Sequence, residues 1–537
     1  GGITLSGSLY DATGMSSRMD PYSWVVNANI NFKLFDIIDA PFSATFTKDN
    51  HTYNQPRYNQ YGISPEYKWV KTHIGYRSMQ FSPYTLSGVT FLGGGVELAP
   101  PFTPYLQLSA MCGQFAKAVP YSEDFDSYSQ NNLFNVPGYR RWGYGTKLTA
   151  GKNNHIVDVI MLRIKDDPNS IPNPPTESGL TPMENLVLGI TTKNKVHKNV
   201  TLNFEYTLSA LSTDIRTPEI ETDNYTYANN LGSLYTPRYS STFNKVIAGG
   251  VEYSGDHFST GLNYKRVDPE YRSLGTTFIS NDVEEYTVNV SKPLWNNKVN
   301  ITGNIGGQRN NLNNDLLSTD KRFIGGLNLT WAINEKLNTS INYSNFNSST
   351  APSPISIQDT FKYAQVTDNK NFSLNYNFGK EKMKHSSMLN TSLQTVNTLN
   401  ETATELRETG TSIFNVNLAH NITYTPWESS ISIAMNYNYF TQMDTIKNTA
   451  IGPTISANKS LLKKKMRITL SYSLQSMESG STSSTFMNVI RWNTTYKVNK
   501  HHNFSLTSSI MSRTTDSAGG KSSNEEYRAG LTYSFIF

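Results

Sequence analysis

The sequence predicts an all-β protein, namely a transmembrane antiparallel β-barrel of about 26 strands. Three observations support this prediction: apolar and polar residues alternate along many segments, turn signals recur at regular spacing, and the composition suits a membrane barrel. The chain has 537 residues, of which 12% are aromatic, 37% hydrophobic and only 17% charged. Soluble domains average about 25% charged residues, so this chain is poor in charge and rich in aromatic rings.

The same composition excludes several other classes of protein. Disordered chains lack aromatic residues and carry a high net charge. No window holds the roughly 18 consecutive apolar residues of a membrane helix. The single cysteine, Cys112, excludes a disulfide framework and a cysteine-based zinc site. A net charge of +5 over the whole chain is too dilute to indicate nucleic acid, so no nucleic-acid partner is expected.

Alternation with a period of two is explicit in segments such as 200–208, 372–378, 431–439 and 466–475. Side chains two apart in a strand share a face, so each segment has one apolar and one polar face. A soluble β-sandwich also alternates. However, the polar faces here carry Asn, Ser, Thr and Gly more than Lys and Glu, which suits the interior of a barrel better than an open surface.

Tryptophan residues lie within a few positions of the predicted strand ends. Trp and Tyr favour the boundary between membrane and water, because one end of the ring is apolar and the other can form a hydrogen bond. The expected interfacial aromatic residues are Trp295, Trp331, Trp427 and Trp492.

Twelve short turns alternate with thirteen longer connections, which together join 26 strands and put both termini on the short-turn side. Strand boundaries are predicted less accurately from sequence than the existence of strands. The expected strand number is therefore given as a range of about 24 to 28. Bacterial single-chain barrels have even strand numbers, short periplasmic turns and long extracellular loops. We therefore expect one domain over 1–537 with a periplasmic C-terminus. The short turns are predicted at 34–40, 66–70, 99–104, 151–154, 194–199, 254–257, 295–298, 334–336, 379–384, 426–429, 461–465 and 498–502, and the longer connections at 10–21, 49–60, 80–90, 113–140, 165–184, 212–241, 266–282, 309–320, 346–370, 395–411, 441–449, 477–484 and 514–523.

The last predicted strand gives the sharpest single signal. Its apolar face ends in Tyr533, Phe535 and the C-terminal Phe537. This pattern looks like the C-terminal signature of outer-membrane barrels that the insertion machinery recognises, so these three residues are the expected assembly signal.

Three segments near the start of the chain carry a resemblance to a known group. They are Tyr61–Trp69 (YGISPEYKW), His73–Arg77 (HIGYR) and Phe91–Leu98 (FLGGGVEL). They resemble outer-membrane barrel proteins of the Bacteroidota, most clearly over the first 150 residues. The resemblance implies a location in the cell outer membrane and implies almost nothing about activity.

Alternation begins near Thr4, and Gly1–Leu5 is expected to start a strand rather than a signal peptide. The sequence is therefore expected to be a mature or trimmed form, since an outer-membrane protein must first be exported. A globular plug, as in TonB-dependent transporters, is not expected. Barrels of 16–18 strands already leave an aqueous channel, so the interior must be closed by loops, flattening, bulky side chains or another protein. The longest loops, 113–140, 165–184 and 212–241, are the intrinsic candidates.

Two functions of different classes remain open. One is a porin-like conduit, a gated channel or a subunit of an envelope complex for transport, protein secretion or outer-membrane assembly. The other is a structural barrel that anchors extracellular loops and partner proteins without conducting. The expected partners are outer-membrane lipid, lipopolysaccharide and other envelope proteins, whether barrel, lipoprotein or periplasmic subunit.

Enzymatic activity is not expected, nor is a cofactor or a metal site. The nine His residues show no metal-binding spacing, and no Ser has a plausible pairing with His and Asp.

The predicted short turns are basic. Like charges at one rim attract anionic lipid headgroups or an acidic periplasmic partner; solubility and termination of strand edges are the simpler explanation. The residues of this predicted basic periplasmic rim are Lys193, Lys195, Lys198, Lys380, Lys382, Lys384, Lys463, Lys464 and Lys465.

Overall fold

The fold was analysed in a computed structural model. It describes the chain except for residues 49–59, 121–136, 153, 173, 175–178, 221–233, 316–317, 353–361, 402–405, 443–444 and 481–482. The strands are β1 (Gly2–Thr13), β2 (Tyr22–Leu34), β3 (Ile38–Thr47), β4 (Gln60–Ile63), β5 (Glu66–Tyr67), β6 (Val70–Arg77), β7 (Phe91–Leu98), β8 (Leu106–Ala116), β9 (Arg141–Lys152), β10 (His155–Asp166), β11 (Glu184–His197), β12 (Val200–Ser212), β13 (Ser241–Ser254), β14 (Ser259–Val267), β15 (Val283–Leu294), β16 (Val299–Arg309), β17 (Ser318–Ala332), β18 (Leu337–Pro352), β19 (Lys362–Lys380), β20 (Met383–Glu401), β21 (Leu406–Tyr424), β22 (Ser429–Gln442), β23 (Ile446–Leu461), β24 (Met466–Ser479), β25 (Ser483–Lys497), β26 (His502–Ser517) and β27 (Gly520–Ile536). Single-turn 3-10 helices occupy Pro168–Ser170 and Thr425–Trp427.

Consecutive strands pair antiparallel around the whole chain, and the first strand pairs with the last. The closing ladder runs from Gly2 opposite Ile536 to Thr13 opposite Glu525. The segments β4 and β5 share one position between β3 and β6, where Ser64 and Pro65 interrupt the strand. Proline has no N–H to give to a ladder, which explains the interruption. The wall therefore has 26 strand positions, and the prediction of a 26-stranded antiparallel barrel is confirmed.

The two faces of the wall differ in chemistry. On β22 the exposed residues Ile431 and Ile433 are 52% and 53% exposed and share one face. On β10, Val159 is 52% exposed on that same face, whereas Ile160 on the opposite face is 1% exposed because loops cover it. The segments 78–90 and 268–282, which are far apart in the sequence, contact each other on this covered face. We therefore assign the exposed apolar face to the outside of the barrel and the covered face to its interior.

Each predicted short turn falls on a tight connection between neighbouring strands. Asn296 and Asn297 have φ of 52° and 65°, and Leu462, Lys463 and Lys464 also lie in the left-handed region. Asn tolerates this conformation better than most residues do, so the local sequence signal and the observed backbone agree.

The predicted longer connections at 346–370, 395–411 and 514–523 are wrong in extent; the last is a tight turn between β26, which ends at Ser517, and β27, which begins at Gly520. Instead of looping over 346–370 and 395–411, the chain continues as strand to Pro352 in β18, from Lys362 in β19, to Glu401 in β20 and from Leu406 in β21. The segments 346–370 and 395–411 are rich in Ser, Thr and Asn, so their sequence lacks the apolar–polar alternation that marks a strand with one face in lipid. The wall on this side rises beyond the apolar band.

In the described ranges, no helix is long and apolar enough to cross a bilayer. Every strand in the described part of the chain belongs to the wall, and no separate globular plug domain occurs there.

Candidate functional site: the barrel interior

Two loops enter the interior and meet each other. They are residues 78–90, between β6 and β7, and residues 268–282, between β14 and β15; we call them the plug loops. Ser87 N–H donates to the Gly275 carbonyl at 3.0 Å and the Ser273 hydroxyl to the Thr85 carbonyl at 2.6 Å. These two hydrogen bonds join the loops into one unit.

An apolar cluster fixes this unit to the inner wall. Leu86 is fully buried, and Leu274 is 6% exposed. A buried apolar side chain is worth about 1.5–3 kcal/mol relative to an exposed one, so this cluster is the main term that holds the plug loops in place. The buried members from the loops are Met79, Phe81, Leu86 and Leu274, and those from the wall are Phe91, Met111, Ile160, Leu162, Ile164, Val187 and Leu211.

Polar wall residues add directional contacts to the second plug loop. Asn185 accepts from the backbone N–H of Leu274 at 3.0 Å and donates to the Ser209 hydroxyl at 2.8 Å. Ser209 in turn donates to the Arg272 carbonyl at 2.7 Å. Both side chains are buried, where an unpaired polar group is costly. The three bonds therefore fix the register of the loop against β11 and β12.

Close approach of the loop to the wall requires glycine at position 275. A Cβ atom there would lie 2.4 Å from Leu162 and 2.6 Å from the Thr85 carbonyl oxygen. Because the carbonyl belongs to the backbone of the other plug loop, no side-chain rotation relieves this contact. Gly275 therefore allows the two loops and β10 to pack at van der Waals distance.

Two tyrosines at the junction of the loops are held neutral. Burial raises the pKa of Tyr84 to about 12, with further contributions from Glu205 and Glu285. Burial also raises the pKa of Tyr271, whose hydroxyl donates to the Tyr84 carbonyl at 2.8 Å. Both phenols therefore stay protonated through the physiological pH range.

The other half of the interior is lined differently. The plug-loop contacts described above fall on strands between β7 and β12, whereas the inner face of β19 consists of Asn and Ser residues at alternate positions, with Asn371 and Asn377 exposed. A hollow of about 530 Å³ in the inner wall between β13 and β18 is also lined by amide side chains. They include Asn263, Asn289, Asn304, Asn328 and Asn342. The interior thus has an apolar, filled half and an amide-lined half.

The loops that fill the interior differ from those expected to do so. The plug loops correspond to the predicted connections 80–90 and 266–282, not to 113–140, 165–184 or 212–241. Parts of those three longest loops lie outside the described residues. Their described ends pack at the rim, where Arg141 pairs with Asp166 at 2.7 Å and the Ile215 N–H donates to the Pro182 carbonyl.

The structure places Trp295, Trp331 and Trp427 at the short-turn end of the wall, whereas Trp492 lies inside β25 (Ser483–Lys497) and not at its end. Trp295 and Trp331 pack with ring centroids 6.3 Å apart, and Trp427 packs on Tyr424. Trp492 is 48% exposed on the outer face of β25. The positions of Trp295, Trp331 and Trp427 are compatible with an interfacial belt, which stays a prediction.

The C-terminal residues also lie at the short-turn end. The Tyr533 hydroxyl forms a hydrogen bond with Nδ1 of His502 at 2.7 Å. Phe535 stacks near both His502 and Phe537, at 4.9 and 5.4 Å between ring centroids. Their role as an assembly signal stays a prediction.

The predicted rim lysines are exposed at this same end. Lys464 lies 3.7 Å from Glu428, and Lys465 donates to the Val498 carbonyl. Lys193 and Lys195 lie in the last part of β11, and Lys198 lies in the turn that follows it. Lys380 and Lys384 lie at the ends of β19 and β20, Lys382 lies in the turn between them, and Lys463 lies in the turn between β23 and β24.

A serine, a histidine and a carboxylate meet on the inner wall, which the sequence did not indicate. The His73 ring lies 3.0 Å from the Ser64 hydroxyl and 2.7 Å from Glu97. Ser64 is 6% exposed and its backbone N–H is bonded to the Pro41 carbonyl. The enclosed hydroxyl offers no approach to a substrate, so we assign this network to fastening the interrupted strand β4–β5 to β6 and β7. The residues are 9 and 24 positions apart in sequence, and only the strand register brings them together.

Replacement of His73 by Ala should lower the free energy of unfolding by about 1–3 kcal/mol, because the buried Ser64 hydroxyl and Glu97 lose a shared partner. Urea unfolding of the protein in lipid vesicles, followed by tryptophan fluorescence, measures this change. His257→Ala, in an exposed turn, is the matched control and should change the free energy by less than about 0.5 kcal/mol. Equal effects of the two variants would contradict the fastening role.

Among the described residues, no group of three or more His, Cys, Asp or Glu side chains is arranged to hold a metal ion.

Comparisons with known proteins add the following. No family model and no curated protein matches the sequence. The translocation pore of the P pilus usher PapC is 11% identical over 100% of this chain and 99% of its own, with a TM-score of 0.36. OccAB3 from Acinetobacter baumannii is 11% identical over 66% and 93%, with a TM-score of 0.31. BauA, the ferric preacinetobactin receptor from the same organism, is 10% identical over 99% and 80%, with a TM-score of 0.38. Likeness at this level concerns the barrel fold, and it carries no argument about what this chain transports.

Proposed function

We propose that the protein is a non-enzymatic barrel of the outer membrane that acts as a conduit subunit in a larger envelope complex for transport, secretion or assembly. One observation carries the proposal. The two plug loops cover the inner face of β7–β12 with an apolar cluster, while the inner face of β13–β19 presents amide and hydroxyl groups. A wall that had only to anchor loops has no need of this division.

The membrane location is supported by the outer face. Its exposed aliphatic residues lie between two polar ends, and aromatic residues collect at the short-turn end. An apolar outer band flanked by aromatic girdles is what a transmembrane barrel requires. We place the barrel with its short turns and C-terminus on the periplasmic side and its longer connections on the extracellular side, as is usual for bacterial barrels.

The rim lysines support a periplasmic partner in the same proposal. The triple Lys463–Lys465 lies in one exposed turn, and its field attracts acidic surfaces within about 8–10 Å at physiological ionic strength. A periplasmic subunit that presents carboxylates fits this rim.

Thiol accessibility in single-channel recordings tests the conduit. In a Cys112→Ser background, Asn371→Cys places a thiol on the inner face of β19, and Phe372→Cys places one on the outer face of the same strand. We expect a bulky water-soluble thiol reagent to reduce the conductance of the Asn371→Cys protein in planar bilayers. The Phe372→Cys protein is the matched control and should keep its conductance.

Absence of any conductance in the parent protein, together with no reaction at the Asn371→Cys thiol, would contradict a conduit. That result would favour the structural alternative, in which the barrel anchors extracellular loops and partner proteins.

A further inference from the structure

The outer face of the wall carries an apolar groove between β12 and β17. Its volume is about 920 Å³. The strand register aligns six outer-face residues across it in one row, in the order Phe204, Gly249, Tyr264, Tyr286, Gly307 and Phe323. The four aromatic rings project from the outer face, and the two glycines, which have no side chain, leave space between them. We call this feature the outer groove.

The groove continues an apolar surface that is open to the surroundings. Directly below the row, towards the short turns, Leu262 is 57% exposed and Ile305 is 53% exposed. In the rings' own row, Tyr286 is 54% and Phe323 is 45% exposed. A soluble protein rarely leaves so large an apolar patch uncovered, whereas hydrocarbon chains of a membrane lipid cover it without cost.

Charged residues lie at the other end of the groove, one step towards the long loops. The next outer-face row consists of Arg266, Glu284, Arg309 and Lys321 in register, and Lys245 follows on β13. Glu284 pairs with Arg309 at 2.5 Å and accepts from the Tyr264 hydroxyl at 3.0 Å. Arg266 lies 3.4 Å from Asp268. Four cations therefore face this end, and the paired carboxylates Glu284 and Asp268 hold two of them in place.

The geometry points to a binding site for one phosphorylated glycolipid, the lipid A part of lipopolysaccharide. Its acyl chains lie in the outer groove and its phosphate meets the cationic cluster formed by Lys245, Arg266, Arg309 and Lys321. Cations beside a phosphate give short, charge-assisted hydrogen bonds. The choice of lipid A rests on the proposed function, because the long-loop end then faces the outer leaflet.

Filling the groove provides a specific test. A Cβ at Gly307 would find its nearest neighbour, the Arg322 carbonyl oxygen, at 3.9 Å, so Gly307→Leu adds a side chain without displacing the wall. Gly303→Leu adds the same side chain on the same outer face of β16, outside the groove, where the nearest atom is 3.5 Å away. The two variants differ only in whether the groove is filled.

Native mass spectrometry of the delipidated full-length protein measures retention of added lipid A, phosphatidylglycerol or phosphatidylethanolamine. We expect the parent and Gly303→Leu proteins to retain lipid A more tightly than either phospholipid. Gly307→Leu should weaken lipid A binding about tenfold, which corresponds to about 1.4 kcal/mol. Lys245→Gln should weaken lipid A binding and leave phosphatidylethanolamine unchanged.

Equal retention of lipid A by the Gly307→Leu and parent proteins would overturn the site, as would equal loss in both glycine variants. Retention of phosphatidylglycerol as tight as that of lipid A would overturn the assignment to lipid A. Conductance of the same preparations separates this inference from the proposed function. If the parent protein conducts but does not bind lipid A, the lipid site is contradicted and the conduit is not. If the parent protein binds lipid A but does not conduct, the conduit is contradicted and the lipid site is not.

Discussion

Leu86→Asp should release the plug loops and raise the single-channel conductance of the protein several-fold. Leu86 is fully buried in the apolar cluster, and an unpaired carboxylate in such a place costs several kcal/mol. The wall is held by continuous strand ladders, while the plug loops are held by this cluster and a few hydrogen bonds. The loops therefore yield first, and the carboxylate reaches water when they leave the interior.

Planar-bilayer recording measures the conductance, and limited proteolysis between residues 78 and 90 reports on release of the loop. Leu86→Met is the matched control, since a volume-conserving apolar exchange usually costs less than about 1.5 kcal/mol. It should keep the parent conductance. A folded Leu86→Asp protein with released loops and unchanged conductance would show that the plug loops do not limit the pore.

The wall was predictable because its signals are local. A tight reversal at Asn296–Asn297 needs residues that tolerate positive φ, and the structure has φ of 52° and 65° there. The alternation of apolar and polar residues between the turns depends only on which face of the strand meets lipid. It can therefore be recognised in the sequence without knowledge of distant contacts. The strand number follows from counting such turns, and it agrees with the ladder that closes between β1 and β27.

The apolar cluster of the interior has a local sequence signal in β10. In β10 the run from Ile156 to Ile164 is apolar on both faces, apart from Asp158 and Arg163. Strands buried on both faces lose the alternation of one-sided strands and become nearly continuous apolar runs. Such a run in a barrel with an otherwise polar interior indicates that something apolar covers the inner face. The apolar run does not indicate which loop covers the inner face of β10. The covering residues come from 78–90 and 268–282, which are distant from β10 in the sequence.

Other features depend on register and distance in ways that one sequence does not reveal. The Ser64, His73 and Glu97 network forms only because three neighbouring strands place these side chains on the same face at the same height. The extended ends of β18–β21 are not predictable for a different reason: their sequence is rich in Ser, Thr and Asn, so the apolar–polar alternation that marks a strand in lipid is absent.

The assignment of outer and inner faces leads to the second large effect. Leu418→Arg should destabilise the protein by about 2–4 kcal/mol, the cost of a charged residue on the lipid face near the middle of the bilayer. Leu418 is 56% exposed on the outer face of β21, between Leu389 and Met435 on the neighbouring strands. The adjacent Asn417 points into the interior and donates to Asn436 at 2.6 Å. Asn417→Arg should therefore cost only about 0.5–1.5 kcal/mol, the value of the lost hydrogen bond.

Urea unfolding in lipid vesicles, followed by tryptophan fluorescence, compares the two arginine variants directly. A third variant, Ile422→Arg, lies on the same outer face but four residues nearer the short turn. Its cost should fall to about 0–1 kcal/mol, because the arginine there reaches the interface. This gradient along one face, absent from the other, follows only if lipid covers the residues assigned to the outside. Equal costs at Leu418 and Asn417, or a cost at Ile422 as large as that at Leu418, would mean that the apolar face meets protein or water rather than lipid, and the membrane-spanning barrel would have to be given up.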